Sequence, residues 1–289
     1  MELVAHGDVR VDDWYWLRDR DDPAVLAHLE AENAYTREVM AGTEPLQRLL
    51  FEEMVARIQE TDVSVPARKG PYAYYSRTYR GRDYAVHCRR PAGAPDPAPP
   101  APAPGGGGGE PATRAADDPA GHPDDLEQVL LDENVLAEGH EYLSLGNLSV
   151  SPDHRWLAYS TDTDGSERHR MRFRDLETGA ESPEELLDTS YGVAWADDSR
   201  TVFFVRVDAS MRPYQLWRHR VGSDPSDDVL LYEEPDEHYY LGVGRTRDDR
   251  FVVVTLESKT TSEVHVLAAD RPDGALRVVE PRRHGVEYW

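Results

Sequence analysis

Between Leu148 and about Leu267 one supersecondary unit is written three times. LSVSPDHRWLAYSTDTDGSERHRMRFRDLETG is followed by VAWADDSRTVFFVRVD with PYQLWRHRVG, and then by VGRTRDDRFVVVTLESKTTSEVHVLAAD. Each copy opens with a short apolar strand, turns at an Asp-bearing corner (Pro152-Asp153, Asp197-Asp198, Asp248-Asp249), and continues into a second apolar strand. A polar turn and a strand of alternating character close it. The corners recur at roughly 45 to 50 residues, the period of four-stranded propeller blades. An all-β sandwich also shows short strands between turns, but it has no reason to repeat unlike strands in a fixed order. The predicted fold is mainly β, a partial propeller preceded by an α-helical segment.

That helical segment is assigned to residues 1–70 and the propeller to 71–289. Asp22 before Pro23 places a side-chain acceptor at an N-cap and a preset φ at the first helical position. Val25, Leu26, Leu29, Val39 and Met40 share one face of this helix, and Gly42 is suited to end it. Thr43 starts a second helix, on which Leu46, Leu49, Leu50, Met54 and Ile58 form a stripe that needs a partner surface. Trp14, Tyr15, Trp16 and Leu17 add more aromatic surface than a free arm should expose. PYAYYSRTYRGRDYAVHCRR reads as a β-hairpin turning at Arg80-Gly81-Arg82-Asp83. After it, residues 91–124 are rich in Pro, Ala, Gly and Asp and predict a disordered loop. LEQVLLDEN then resumes with a strand that would complete the interrupted sheet.

Charge and cysteine usage narrow the function classes. The 55 Asp and Glu outnumber the 32 Lys and Arg, for a net charge of -23. Such a surface repels phosphate backbones and anionic lipid, so neither nucleic acid nor membrane is expected as a partner, whereas cationic peptides are drawn in. Solubility alone would also account for the acidity. Cys88, the single cysteine, forms no internal disulfide and reads as a small buried apolar group. No signal peptide and no spanning run are read, so a cytoplasmic location is expected.

A search for chemistry finds a scaffold. No G-x-S-x-G elbow, P-loop, G-x-G-x-x-G or H-E-x-x-H occurs. His140 and Glu141 lack the second histidine of a zinc helix and read as polar loop residues. Asp162-Thr163-Asp164-Gly165, with Glu167 beyond, has a faint calcium-loop look but lacks the distal bidentate glutamate, and a hairpin turn is the expected reading. The expectation is therefore no catalytic, cofactor-binding or metal-binding residue in this chain, and no cofactor.

HGDVRVDDWYWLRDRDDPAVLAHLEAENAYTREVM, GPYAYYSRTYRGRDYAVHCRR, SPDHRWLAYSTDTDGSERHRMRFRDLETG and PYQLWRHRVG resemble the amino-terminal half of oligopeptidase B, of the prolyl oligopeptidase family. The resemblance implies a seven-bladed propeller capping an α/β-hydrolase domain, to which the amino-terminal helices also belong. It implies a serine oligopeptidase in which the hydrolase domain supplies Ser, Asp and His and selects Arg or Lys, while the propeller admits only short peptides.

This chain reaches Trp289 in about the fourth blade, so no position matches the family's catalytic motifs. The expected partners are short basic peptides, met through the hydrolase domain, and a separately encoded hydrolase half. The alternatives are a non-enzymatic peptide- or protein-binding module and a degenerate remnant.

Overall fold

The structure, a computed structural model, describes residues 1–97 and 125–289. The disordered loop expected at 91–124 therefore falls largely outside the described residues. The chain divides into two compact units, Met1–Glu60 and Thr61–Trp289.

In the first unit β1 (Glu2–Ala5) and β2 (Asp8–Val11) form an antiparallel hairpin. Two helices follow, α1 (Pro23–Met40) and α2 (Glu44–Val55). Asp22 caps α1, its carboxylate accepting the Ala24 amide at 2.8 Å. Gly42 does not end that helix in a left-handed turn as expected. Ala41 keeps helical angles, and a 3-10 turn over Ala41–Thr43 leads directly into α2. Thr43 precedes α2 without capping an amide; its hydroxyl donates back to the Met40 carbonyl at 2.7 Å. A short polar turn that stays right-handed suffices here, so glycine's conformational freedom goes unused.

The second unit is a run of four antiparallel blades, in agreement with the fold class expected. Blade 1 combines β3 (Asp62–Val63), β4 (Ala67–Lys69), β5 (Tyr72–Thr78), β6 (Val86–Pro91) and β7 (Gln128–Asp132). The strand after the Pro/Gly-rich stretch thus completes the sheet begun before it, β7 pairing with β6. The boundary read at residue 70 lies later than the structure's, because β3 and β4 already pair with β5. DV and ARK are too short and polar to show a strand pattern.

A single-turn α3 (Glu133–Leu136) leads to blade 2: β8 (Ser144–Val150), β9 (Trp156–Asp162), β10 (His169–Asp175) and the first part of β11 (Leu186–Trp195). The long β11 joins blades 2 and 3 within one seven-stranded sheet. Leu186 pairs back with Met171 of β10, Thr189 pairs with both His169 of β10 and Arg206 of β12 (Thr201–Val207), and Val193 to Trp195 pair forward with β12. Blade 3 then adds β13 (Pro213–Arg220) and β14 (Val229–Glu233). Gly192 marks the changeover at φ +95°, with the Val243 carbonyl 2.9 Å from where a Cβ would stand, so only glycine fits. Blade 4 is β15 (Tyr240–Arg245), β16 (Phe251–Glu257), β17 (Ser262–Ala268) and β18 (Arg277–Glu280).

The three Asp corners are the same turn made three times. Asp153, Asp198 and Asp248 each accept the amide two residues on, and the residue between is left-handed: His154, Ser199 and Asp249 at φ 63°, 56° and 58°. Each turn closes the hairpin between the first two strands of its blade. Apolar clusters then fill the seams between blades. Leu130, Leu157 and Tyr159 join blades 1 and 2; Phe173, Trp195 and Phe204 join blades 2 and 3; Phe203, Leu216, Leu241 and Val254 join blades 3 and 4. Cys88 lies in a smaller cluster with Tyr75 and Val86, and burial pushes its thiol up to about 12.

Candidate functional site

Antiparallel strands that alternate in direction put the second and fourth connections of every blade at one end. At that end a cleft of about 310 Å³ opens between the α3–β8 connection and the β9–β10 hairpin. Leu136, His140 and Leu143 form one wall; Asp162, Asp164, Arg168, Arg170 and Arg172 form the other. The two stretches read separately as a polar loop and a hairpin turn are thus brought together.

The chemistry on offer in this cleft is limited. Asp162 is spent on its own turn: Oδ1 accepts the Asp164 and Gly165 amides at 3.0 and 3.1 Å, and Oδ2 accepts the Glu167 amide at 2.8 Å. A carboxylate so engaged holds a hairpin rather than a cation. The hydrogen bonds that Ser166 donates to Asp164 hold that carboxyl below the usual carboxylate range. Arg168 bridges Asp188 at 3.1 Å and the Asp208 carbonyl at 2.9 Å, and Arg172 pairs with Glu185 at 2.7 Å. Polar contacts to a passing chain are available here; a nucleophile with a base is not.

The arrangement nearest to a catalytic one lies in the seam between blades 2 and 3. His219 is fully buried between two carboxylates, with Nδ1 2.6 Å from Asp228 and Nε2 3.6 Å from Glu184, and its ring stacks on Phe173 at 5.4 Å. The Ser182 hydroxyl donates to Glu184 and not to the imidazole. Among the described residues no serine hydroxyl hydrogen-bonds a histidine. The two carboxylates sit on opposite edges of the ring and cannot converge on a metal; no group of three ligating side chains is placed to hold one among the described residues. Nor is any described helix long and apolar enough to cross a membrane.

This buried cluster was not foreseen from sequence. Glu184 and Asp228 come from loops of different blades, and only the folded seam brings them to His219.

A third cluster ties blade 3 to the end of blade 4. Arg282 lies over the Tyr239 ring at 4.0 Å and bridges Glu234 at 2.5 Å and Glu263 at 3.3 Å, while His265 meets Glu263 at 2.7 Å. Burial alone would raise the Glu263 carboxyl. The Arg282 amide, the His265 ring and the Arg282 guanidinium outweigh it and hold the group down at about 2.

A depressed carboxyl stabilises the fold above its unfolded value, and the contribution is lost as pH falls from about 4.5 toward 2. Glu263→Gln is therefore expected to lower the thermal midpoint at pH 6. The difference from wild type should shrink as pH drops through this window. A difference that stays constant to pH 2 would show the carboxylate to be unimportant.

Comparison with known proteins places the fold. The model of the prolyl oligopeptidase N-terminal β-propeller domain matches residues 2–289. Over 288 residues the chain is 41% identical to dipeptidyl aminopeptidase BI of Pseudoxanthomonas mexicana, covering 99% of this chain and 38% of that protein. It is 36% identical to protease 2 of Moraxella lacunata, covering 98% of this chain and 39% of the relative. The structure of oligopeptidase B from Leishmania major superposes with a TM-score of 0.82 at 27% identity, over 97% of this chain and 36% of that one. The chain thus spans about two-fifths of the length of the curated relatives it matches.

Proposed function

The chain belongs to the N-terminal β-propeller family of the prolyl oligopeptidases, and from that premise we propose that it is the gating and scaffolding part of a serine-type oligopeptidase cleaving short peptides after Arg or Lys. The observation that carries this reading is the likeness, along nearly the whole chain, to protease 2 and to oligopeptidase B. The catalytic Ser, His and Asp belong to an α/β-hydrolase domain outside these residues, either continuous with them or separately encoded. There the serine attacks the carbonyl after the basic residue, the histidine carries the proton, and backbone amides hold the oxyanion.

The propeller's contribution is physical. Blades packed through apolar seams are too stiff to admit a folded protein, so short, extended chains are selected. The net charge of -23 favours cationic ones by long-range attraction. A cytoplasmic setting with reduced thiols suits the single buried Cys88.

The 41% identity to a dipeptidyl aminopeptidase favours a second reading of the same enzyme, in which dipeptides are released from a free amino terminus. One assay separates the two. The purified chain is mixed with a separately expressed hydrolase half of a full-length relative and offered an Arg-Arg fluorogenic peptide, either amino-blocked or free. Cleavage of the blocked peptide on mixing alone supports the oligopeptidase reading, and cleavage of the free peptide alone supports the second. Silence in every tube would favour a binding module, and turnover by the chain alone would overturn the scaffold assignment.

A further inference from the structure

The left-handed residue of the Asp corner does more than close a hairpin. In blade 3 that residue is Ser199, whose Oγ accepts the Asp153 amide of blade 2 at 3.0 Å. In blade 2 it is His154, whose Nδ1 meets the Tyr74 hydroxyl of blade 1 at 2.7 Å. The same backbone device pins two successive seams to the preceding blade, and only one of the two pins titrates.

The socket for His154 is made by blade 1. The imidazole stacks on Tyr74 at 21° and 6.1 Å and tilts against Tyr72 at 5.5 Å. Arg89 lies over Tyr72 at 4.1 Å and donates to the His154 carbonyl. Gly70, at φ +57°, closes the socket, since a Cβ there would stand 2.5 Å from His154 Nε2. The charged groups facing the ring are Lys69 on β4, Arg89 on β6, and Asp153 in its own turn. The Asp153 carboxylate is already engaged by the Ser151 hydroxyl and the Arg155 amide.

We propose that His154 is an acid-released pin of the seam between blades 1 and 2: neutral, it seats in the socket and holds the first blade to the second; protonated, it is expelled and that seam loosens. A proton on the ring adds a third cation beside Lys69 and Arg89. It also makes donors of both ring nitrogens, so the Tyr74 hydroxyl is left only to accept from Nδ1. Burial and the charges of Lys69 and Arg89 already hold the histidine below its usual value. The open form therefore binds the proton better than the seated one. The pin is fully effective above the ordinary histidine range, about 6.5, and weakens as pH falls below it. Ser199 cannot respond, so the seam between blades 2 and 3 keeps its pin.

Hydrogen exchange of the full chain, corrected for intrinsic rates and compared at pH 7.5 and 5.5, tests this. Protection of β4 and β5 relative to β12 is expected to fall by several-fold, bounded at about tenfold per pH unit for a single proton. His154→Phe, which fills the socket without titrating, should remove the pH dependence. Lys69→Gln, which removes one of the repelling charges, should reduce the fall in an otherwise unaltered socket and carries the test if the Phe variant does not seat. A flat wild-type ratio would overturn the proposal. So would an undiminished fall in a folded His154→Phe protein, which would transfer the effect to the His87–Glu133 pair of the same blade, or an undiminished fall in Lys69→Gln.

Discussion

Phe203→Ala and Phe204→Ala are each expected to lower the unfolding free energy by about 3–5 kcal/mol, and to loosen different blades. The two rings are neighbours in TVFFVRV and both are fully buried. Adjacent residues on a strand point to opposite faces. Phe203 therefore enters the cluster with Leu216, Leu241 and Val254 between blades 3 and 4, and Phe204 enters the one with Phe173 and Trp195 between blades 2 and 3. Removing either ring leaves a cavity that stiff flanking sheets cannot close. The loss is a large part of the roughly 5–15 kcal/mol that holds a domain together. Urea titration should show both losses. Exchange in β15 to β17 should rise first for Phe203→Ala, and in β8 to β10 for Phe204→Ala. Equal loosening of the same blades by both variants would show that the seams are not separable.

The same strand explains what could be read from the sequence. A central strand covered on both faces has little alternation, so TVFFVRV, buried from Thr201 to Val205, stands out as one; FVVVTLE stands out by its run of Val, although only Val252, Val254 and Leu256 are buried. The Asp corners stand out because a left-handed residue after an acceptor carboxylate is a local, chemically specific requirement, met in the same way at His154, Ser199 and Asp249. Both signals are carried within a few residues of chain.

The polar clusters are of the other kind. Glu184 and Asp228 meet at His219, and Glu234, Glu263 and Arg282 meet at Tyr239, only because blades stack. Nothing near His219 in sequence distinguishes it from an exposed histidine. The cleft near His140 was hidden for the same reason: its two walls belong to stretches some twenty residues apart, each unremarkable alone. β3 and β4 were missed because two or three polar residues leave no periodicity to detect.

The isolated chain is expected to self-associate at micromolar concentration through its amino-terminal helices, and to do so less when α2 is made polar. α2 has no buried residue, and Leu46, Leu49, Leu50 and Met54 are 55, 59, 46 and 59% exposed on one stripe. Covering roughly 300 Å² of this stripe on each of two copies is worth about 15 kcal/mol at about 25 cal/mol per Å². The cost of association, about 4–15 kcal/mol, offsets much of that gain, so weak and concentration-dependent assembly follows.

Leu46→Lys with Leu49→Lys should shift the sedimentation profile toward monomer and reduce binding of an apolar dye. Lys is a good helix former, and at position 49 it faces Glu53 one turn on, so the helix itself is kept. A wild-type chain whose mass is independent of concentration and which binds no dye would contradict this expectation. The same face connects stability to function. Under the proposed assignment the helices pack on the hydrolase domain, so a separately expressed hydrolase half should compete with self-association and dissolve it. Assembly that the hydrolase half leaves untouched would mean that the apolar stripe serves contacts between copies of this chain rather than completion of a peptidase.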